Sequence, residues 1–195
     1  MDKRVILNKL RKGIYKRVIG IDPDVDKSGY AGVGIEDKDV FQCQTMDIAD
    51  LMWTISALGR DTDTARTTLY VVEGGWLNKG NWHLTRYDSV RSAAKKGYDV
   101  GRNHQVGHTI VELCKLYGMD VLVAEPLQKI WDSHDGKITV RELSEIIKQG
   151  NPENELPKPC SQDMRDALLL AWHYAGTPIK KPRRVIERNT KKGGK

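Results

Sequence analysis

The sequence contains no run of about 18 apolar residues, and its N-terminus lacks the long apolar segment of a signal peptide. Neither a membrane span nor export is expected, and the chain reads as soluble and intracellular. Cysteine is scarce: Cys43, Cys114 and Cys160 are widely separated, odd in number and without a CxxC motif. That pattern argues against a disulfide framework and against a zinc site, so Cys43 and Cys114 read as core residues. The histidines at 83, 104, 108, 134 and 173 show no metal-ligand spacing and read as surface or packing residues, although His104 and His108 share a helix face. There is no internal repeat. A length of 195 residues suits one compact domain with extensions.

What is present alternates between strand and helix signals. β-branched and aromatic runs predict strands over Val18 to Ile21, Gly29 to Ile35, Val40 to Thr45, Leu69 to Val72 and Asp120 to Ala124. Helical periodicity covers Ile48 to Leu58, about Gly101 to Tyr117, Val140 to Lys148 and a final segment from Ser161 to Gly176. Thr139 with Glu142 forms a capping-box pattern, while Ser161 is a natural N-cap and Gly176 a natural stop. In the final segment the apolar residues Met164, Ala167, Leu168, Ala171, Trp172 and Ala175 recur at helical spacing. Three strands followed by alternating helices and strands predict an α/β or α+β sheet protein rather than a bundle.

Four acids occupy special places in this pattern. Asp22 closes the first strand, Glu73 closes the fourth, and Asp163 and Asp166 stand three residues apart at the start of the last helix, hence on nearly one side of it. Taken singly each has an ordinary role, as a turn former or as an acid complementing a helix dipole. Taken together they are what two hard divalent cations need: oxygen ligands on rigid elements drawn from distant parts of the chain.

Charge is segregated. The formal net charge is +6, but residues 1 to 17 carry +6, residues 179 to 195 carry +7, and the body between them carries −7. An acidic body with basic ends suits a metal centre flanked by arms that grip phosphates. Lysine-rich ends are also commonly just solubilising, a reading that fits residues 191 to 195, whereas Arg183 and Arg184 beside Pro182 read as a phosphate-binding segment. The segment from Gly74 to Gly101 shows no strong periodicity and reads as a long loop. It is rich in Trp76, Lys79, Trp82, Arg86, Tyr87, Arg91, Lys95, Lys96 and Tyr98, with Asp88 and Asp99 opposing. Aromatic platforms with interleaved cations suit nucleic acid whose bases are unpaired; in the ordinary alternative the tryptophans pack on the sheet.

The run ending in Asp22-Pro23 with Ser28, Gly29 and Tyr30 after it, the strand ending at Glu73, and the Asp163-x-x-Asp166-Ala167-Leu168 helix together resemble the RuvC family of Holliday junction resolvases, over about Arg17 to Gly176. The resemblance implies an RNase H-like fold, a mixed sheet of about five strands flanked by helices. It implies a nuclease domain over 17 to 178, between a basic extension at 1 to 16 and a basic tail at 179 to 195. Asp22, Glu73, Asp163 and Asp166 would be the catalytic, metal-binding acids, holding two magnesium ions, with manganese an alternative. The partners would be branched DNA, four-way junctions above all, and a second copy of the chain making the paired nick, in a bacterial cytoplasm or a phage-infected cell. Trp76 matches an aromatic near the branch point, and Lys129 and Lys137 resemble two basic residues of the following loop and helix. The family usually has Gly where Asp24 stands, and a shorter central loop.

Other readings stay open. A broader branched-DNA nuclease or an RNA–DNA hybrid nuclease would use the same acids, and a junction-binding module would keep the fold without chemistry. An actin-like or sugar-kinase ATPase also opens on a strand ending in Asp, but needs glycine-rich phosphate loops and a second lobe that this chain is too short to supply.

Overall fold

A computed structural model describes residues 3 to 78, 85, 87 to 128 and 130 to 176. Five strands, β1 (Arg17–Asp22), β2 (Ser28–Gly34), β3 (Val40–Met46), β4 (Thr68–Glu73) and β5 (Asp120–Ala124), form one sheet in the order β3-β2-β1-β4-β5. The pairs β1–β2 and β2–β3 are antiparallel, while β1–β4 and β4–β5 are parallel. This is the mixed, helix-flanked five-stranded sheet of the RNase H-like class. All five strands expected from the sequence are present.

Side-chain alternation divides the sheet into two faces. Val18, Ala31, Val33, Leu69, Val71, Leu122 and Ala124 line one core together with helices α5 (Val140–Gly150) and α6 (Gln162–Tyr174). Ile19, Ile21, Tyr30, Tyr70, Val72 and Val121 line the other, with α2 (Ile48–Arg60) and α4 (Val90–Leu116). The apolar stripe expected on α6 is buried in full. Leu169 and Leu170 are buried as well, because α5 and its preceding loop cover the side of α6 turned away from the sheet. The capping box of α5 is formed: Glu142 accepts from the Thr139 amide at 3.0 Å and hydroxyl at 2.7 Å, and its other oxygen accepts from the Asp132 amide at 3.0 Å.

Two expectations are corrected. Residues 90 to 100 are not loop: α4 starts at Val90, capped by the Ser89 side chain, three turns before the expected start near Gly101. Helix-favouring Ala93, Ala94, Lys95 and Lys96 support these turns. Its buried residues, Gly107, Ile110, Val111 and Cys114, all lie in its second half, so the first half has no apolar stripe for a periodicity search to find. Two short helices were also not anticipated, α1 (Lys3–Arg11) and α3 (Thr62–Thr67). Within the stretch read as a basic extension, α1 buries Ile6 in the α6-side core, and Lys9 Nζ and the Tyr15 hydroxyl each reach the buried Asp120 carboxylate at 2.7 Å. Among the described residues no helix is long and apolar enough to cross a membrane.

Candidate active site

The parallel register of β1 and β4 sets Ile21 beside Val72, which brings the next residues, Asp22 and Glu73, to adjacent strand ends. With a period of two, Val18, Gly20 and Asp22 share one face, and Leu69, Val71 and Glu73 share the same face, the one covered by α6. Helix α6 can lie close on this face because two strand positions lack a side chain. A Cβ at Gly20 would stand 2.1 Å from the Ala167 carbonyl oxygen and 2.8 Å from the Ala171 amide, and one at Gly29 would stand 2.0 Å from the Asp163 carbonyl oxygen. The glycines therefore set the height at which Asp163 and Asp166 are carried over the strand ends. Asp166 is steered further by Gln162, whose amide donates to it at 2.8 Å.

The other three acids act on Asp22. Asp22 is pushed well above the usual carboxylate range, first by burial and then by the negative charges of Glu73, Asp166 and Asp163, with Lys137 opposing. Burial is also the leading cause of the upward shifts of Asp163 and Asp166; Asp24 adds to the first, while the Gln162 hydrogen bond and Lys137 offset the second. A half-buried carboxylate held beside three others is costly by itself and is relieved by a cation. All four donors are hard oxygens, which suit a hard divalent cation. Among the described residues no three carboxylate, histidine or cysteine side chains close on a single point. The acids thus converge in charge and chemistry without forming a finished cage.

Asp22, Glu73 and Asp166 open into a cleft of about 1050 Å³ whose lining also includes Trp76, Lys96, Asn103, His104, Trp131 and Lys137. Trp76, in a single 3-10 turn after β4, stacks on His108 with ring centroids 4.2 Å apart, meets His104 edge-on at 6.1 Å, and rests over Gly107, where a Cβ would be 2.4 Å from the indole. It packs on α4 and against the core that this helix shares with the sheet, and it still borders the cleft. His104 and His108 do share a face, and that face holds this indole. Lys137 comes from the loop before α5. Lys96 is paired with Asp88 at 2.8 Å, while Arg91 and Lys95 are exposed on the first half of α4. Lys79, Trp82, Arg86, Lys129, Arg183 and Arg184 lie outside the described residues.

Three supporting residues escaped the sequence reading. Asn103 of α4 accepts from the Val25 amide at 3.0 Å and donates to Asp24 at 2.8 Å, clamping the turn that follows Asp22. Arg165 donates to the carbonyls of Ile138 and Cys160 and to the side chain of Gln162, bracing the start of α6 against the Lys137 loop. Gln162 was findable, since it stands four residues before Asp166; the partners of Asn103 and Arg165 are distant in sequence and left no local signal.

The mixed β3-β2-β1-β4-β5 sheet, flanked by helices, is an RNase H-like fold. No protein-family model and no curated protein matches the chain. Among solved structures it is similar to T. thermophilus RuvC in complex with Holliday junction substrate, at 16% identity over 87% of this chain and 100% of that one, with a TM-score of 0.47. It is also similar to a second Thermus thermophilus RuvC structure, at 18% identity over 83% and 97% of the two chains, with a TM-score of 0.46.

Proposed function

We propose that this protein is a divalent-metal-dependent endonuclease that resolves four-way DNA junctions. The observation that carries the reading is the placement of Asp22 and Glu73 at adjacent strand ends beneath the start of α6, where Glu73, Asp166 and Asp163 together raise the cost of charge on Asp22. Asp22 and Glu73, fixed by strand register, and Asp163 and Asp166, fixed by a glycine-seated helix, would hold two magnesium ions. When bound, such ions activate a water and stabilise both the attacking and the leaving oxygen of a phosphodiester. Lys137 brings positive charge to the same place, where it offsets the acids now and would face developing phosphate charge during cleavage. Asn103 and Gln162 orient the acids' surroundings.

The cleft wall suits branched DNA. Trp76 offers an aromatic platform beside Glu73, and the projecting half of α4 carries Arg91, Lys95 and Lys96. Lys79, Trp82, Arg86, Lys129, Arg183 and Arg184 are assigned to the same DNA surface from the sequence. Paired nicking calls for two copies of the chain. The second half of α4 supports a twofold contact, because Leu116 is 76% exposed and Met52 of α2 shares a shallow groove with Leu113 and Leu116.

Cleavage of a labelled four-way junction, with linear duplex and RNA–DNA hybrid as controls, tests the reading with and without magnesium, in the wild type and in Asp22→Asn. Paired symmetric nicks that require both metal and Asp22 are expected. Preferential hybrid cleavage would instead make it an RNase H-type enzyme. The second reading, a binding module without chemistry, draws on the acids' failure to close on one point; junction binding with no cutting under any divalent metal would establish it.

A further inference from the structure

The cysteines, which suggested no disulfide when read along the sequence, include a pair brought together by the fold. Cys43 lies in the edge strand β3, opposite Ala31 of β2, and Cys160 immediately precedes the N-cap Ser161 of α6. Their side chains lie next to each other, near enough for each thiol to shift the other, with Cys43 on the donor side. The Cys43 sulfur also stands 3.7 Å from the Met164 carbonyl oxygen, so it abuts the first turn of the helix that Cys160 leads into. Both residues are half-buried, which leaves the pair within reach of a small oxidant.

The two thiols are chemically unequal. The Cys43 thiol and the neighbouring Arg165 bring Cys160 down to about 7, while the Cys160 sulfur and burial push Cys43 far up. One sulfur is thus a ready nucleophile and the other stays protonated beside it, the arrangement of a reactive cysteine next to a resolving one. Cys114 makes an internal contrast: it is fully buried and pushed up to about 12 by burial, which marks an inert thiol.

We propose that Cys43 and Cys160 form a reversible dithiol–disulfide site, oxidised by hydrogen peroxide, that staples β3 to the N-terminus of α6. The Cys160 thiolate attacks one peroxide oxygen and the O–O bond breaks, giving a sulfenic acid and hydroxide. The Cys43 sulfur then displaces the sulfenic hydroxyl, the S–S bond forms, and the thiol proton leaves with that hydroxyl as water. The hydroxide from the first step takes up the proton that Cys160 had lost, so two thiols and one peroxide yield one disulfide and two waters. Neighbouring thiols need little backbone movement to bond, unlike pairs whose Cα atoms are far apart. In a reducing compartment such a bond is transient and responds to oxidant load, as disulfides in cytosolic proteins commonly do.

The test needs no nuclease assay and so stands apart from the functional reading. The full chain is treated with hydrogen peroxide under native conditions, quenched with an alkylating reagent and analysed by intact mass and peptide mapping. Two of the three free thiols are expected to disappear together, with the loss of two hydrogens, a Cys43–Cys160 cross-linked peptide, and full recovery after dithiothreitol. Cys43→Ser is expected to trap a sulfenic acid at Cys160 without a cross-link. Cys160→Ser should leave Cys43 oxidised at least about tenfold more slowly, as befits a thiol held protonated. Cross-links that involve Cys114, disulfides formed only between chains, or retention of all three thiols would each overturn the proposal, as would equal oxidation rates in the wild type and Cys160→Ser.

Discussion

The seat of α6 on the sheet gives the most direct test of how the fold builds the site. In Gly20→Ala the new methyl would start 2.1 Å from the Ala167 carbonyl oxygen and 2.8 Å from the Ala171 amide. Both are backbone atoms in a helix interior, so no rotamer change relieves the clash. Restoring an ordinary 3.4 Å contact from 2.1 Å requires the helix to retreat by about 1.3 Å. Overpacking of this kind costs about 1 to 3 kcal/mol, or about 2 to 4 °C of Tm for each kcal/mol in a domain of this size. The same retreat lifts Asp166 away from Asp22, and misplacement by about 1 Å in a catalytic constellation costs about 10²-fold in rate. Thermal unfolding and metal-dependent junction cleavage should therefore fall together. Gly97→Ala is the control: it lies inside α4 with nothing within 4 Å of its would-be Cβ, so it should raise stability by about 0.5 to 1 kcal/mol and leave cutting unchanged. A Gly20→Ala protein with wild-type Tm and rate would refute the seating argument.

The acid cluster carries a pH signature. Asp22, Asp163 and Asp166 have folded-state values raised above their unfolded ones, so the stability they lend is complete below the unfolded value and is lost as pH rises through the raised one. Without metal, Asp22→Asn should therefore gain Tm relative to wild type as pH rises from about 4 towards neutrality, and magnesium should shrink that gain; a constant difference across pH would contradict the coupling. The same variant should lose about 10²-fold or more in cleavage while keeping junction affinity. Trp76→Ala should reduce branched-DNA cleavage more than linear-duplex binding, and equal effects on both would remove its branch-point role. Leu116→Lys should shift the chain from dimer to monomer in sedimentation at micromolar concentration, and an unchanged distribution would move the interface off α4.

The parts of this protein that could be read from sequence are those whose physics is local. Most strands announced themselves by runs of β-branched and apolar residues between turn formers, and α6 by a stripe at helical spacing with a serine cap, so the placement of Asp22, Glu73, Asp163 and Asp166 at element ends followed from neighbouring residues, whereas the mixed five-stranded sheet was implied by the family resemblance. The first half of α4 was missed for the complementary reason. It buries none of the residues from Val90 to Val106, and a helix without an apolar face has no period to detect, only propensity and a Ser89 cap. α1 was obscured by charge: Ile6 is the one fully buried residue among lysines and arginines, and its partner surface lies around β5, far along the chain.

The same division explains why the acids were legible and their supports were not. A carboxylate at a strand end stands out against an apolar run, but the clamp from Asn103 to Val25 and Asp24, and the brace from Arg165 to Ile138, join elements that only the fold brings together. Gly20 and Gly29 belong to this second kind. In the sequence they weaken two strands; in the structure they are the only residues whose missing Cβ lets α6 descend onto β1 and β2, among the described glycines. The height of that helix is the one variable that both holds the core closed and brings Asp163 and Asp166 to Asp22. Substitutions at the seat should therefore move stability and metal response together, whereas substitutions of the acids should separate them.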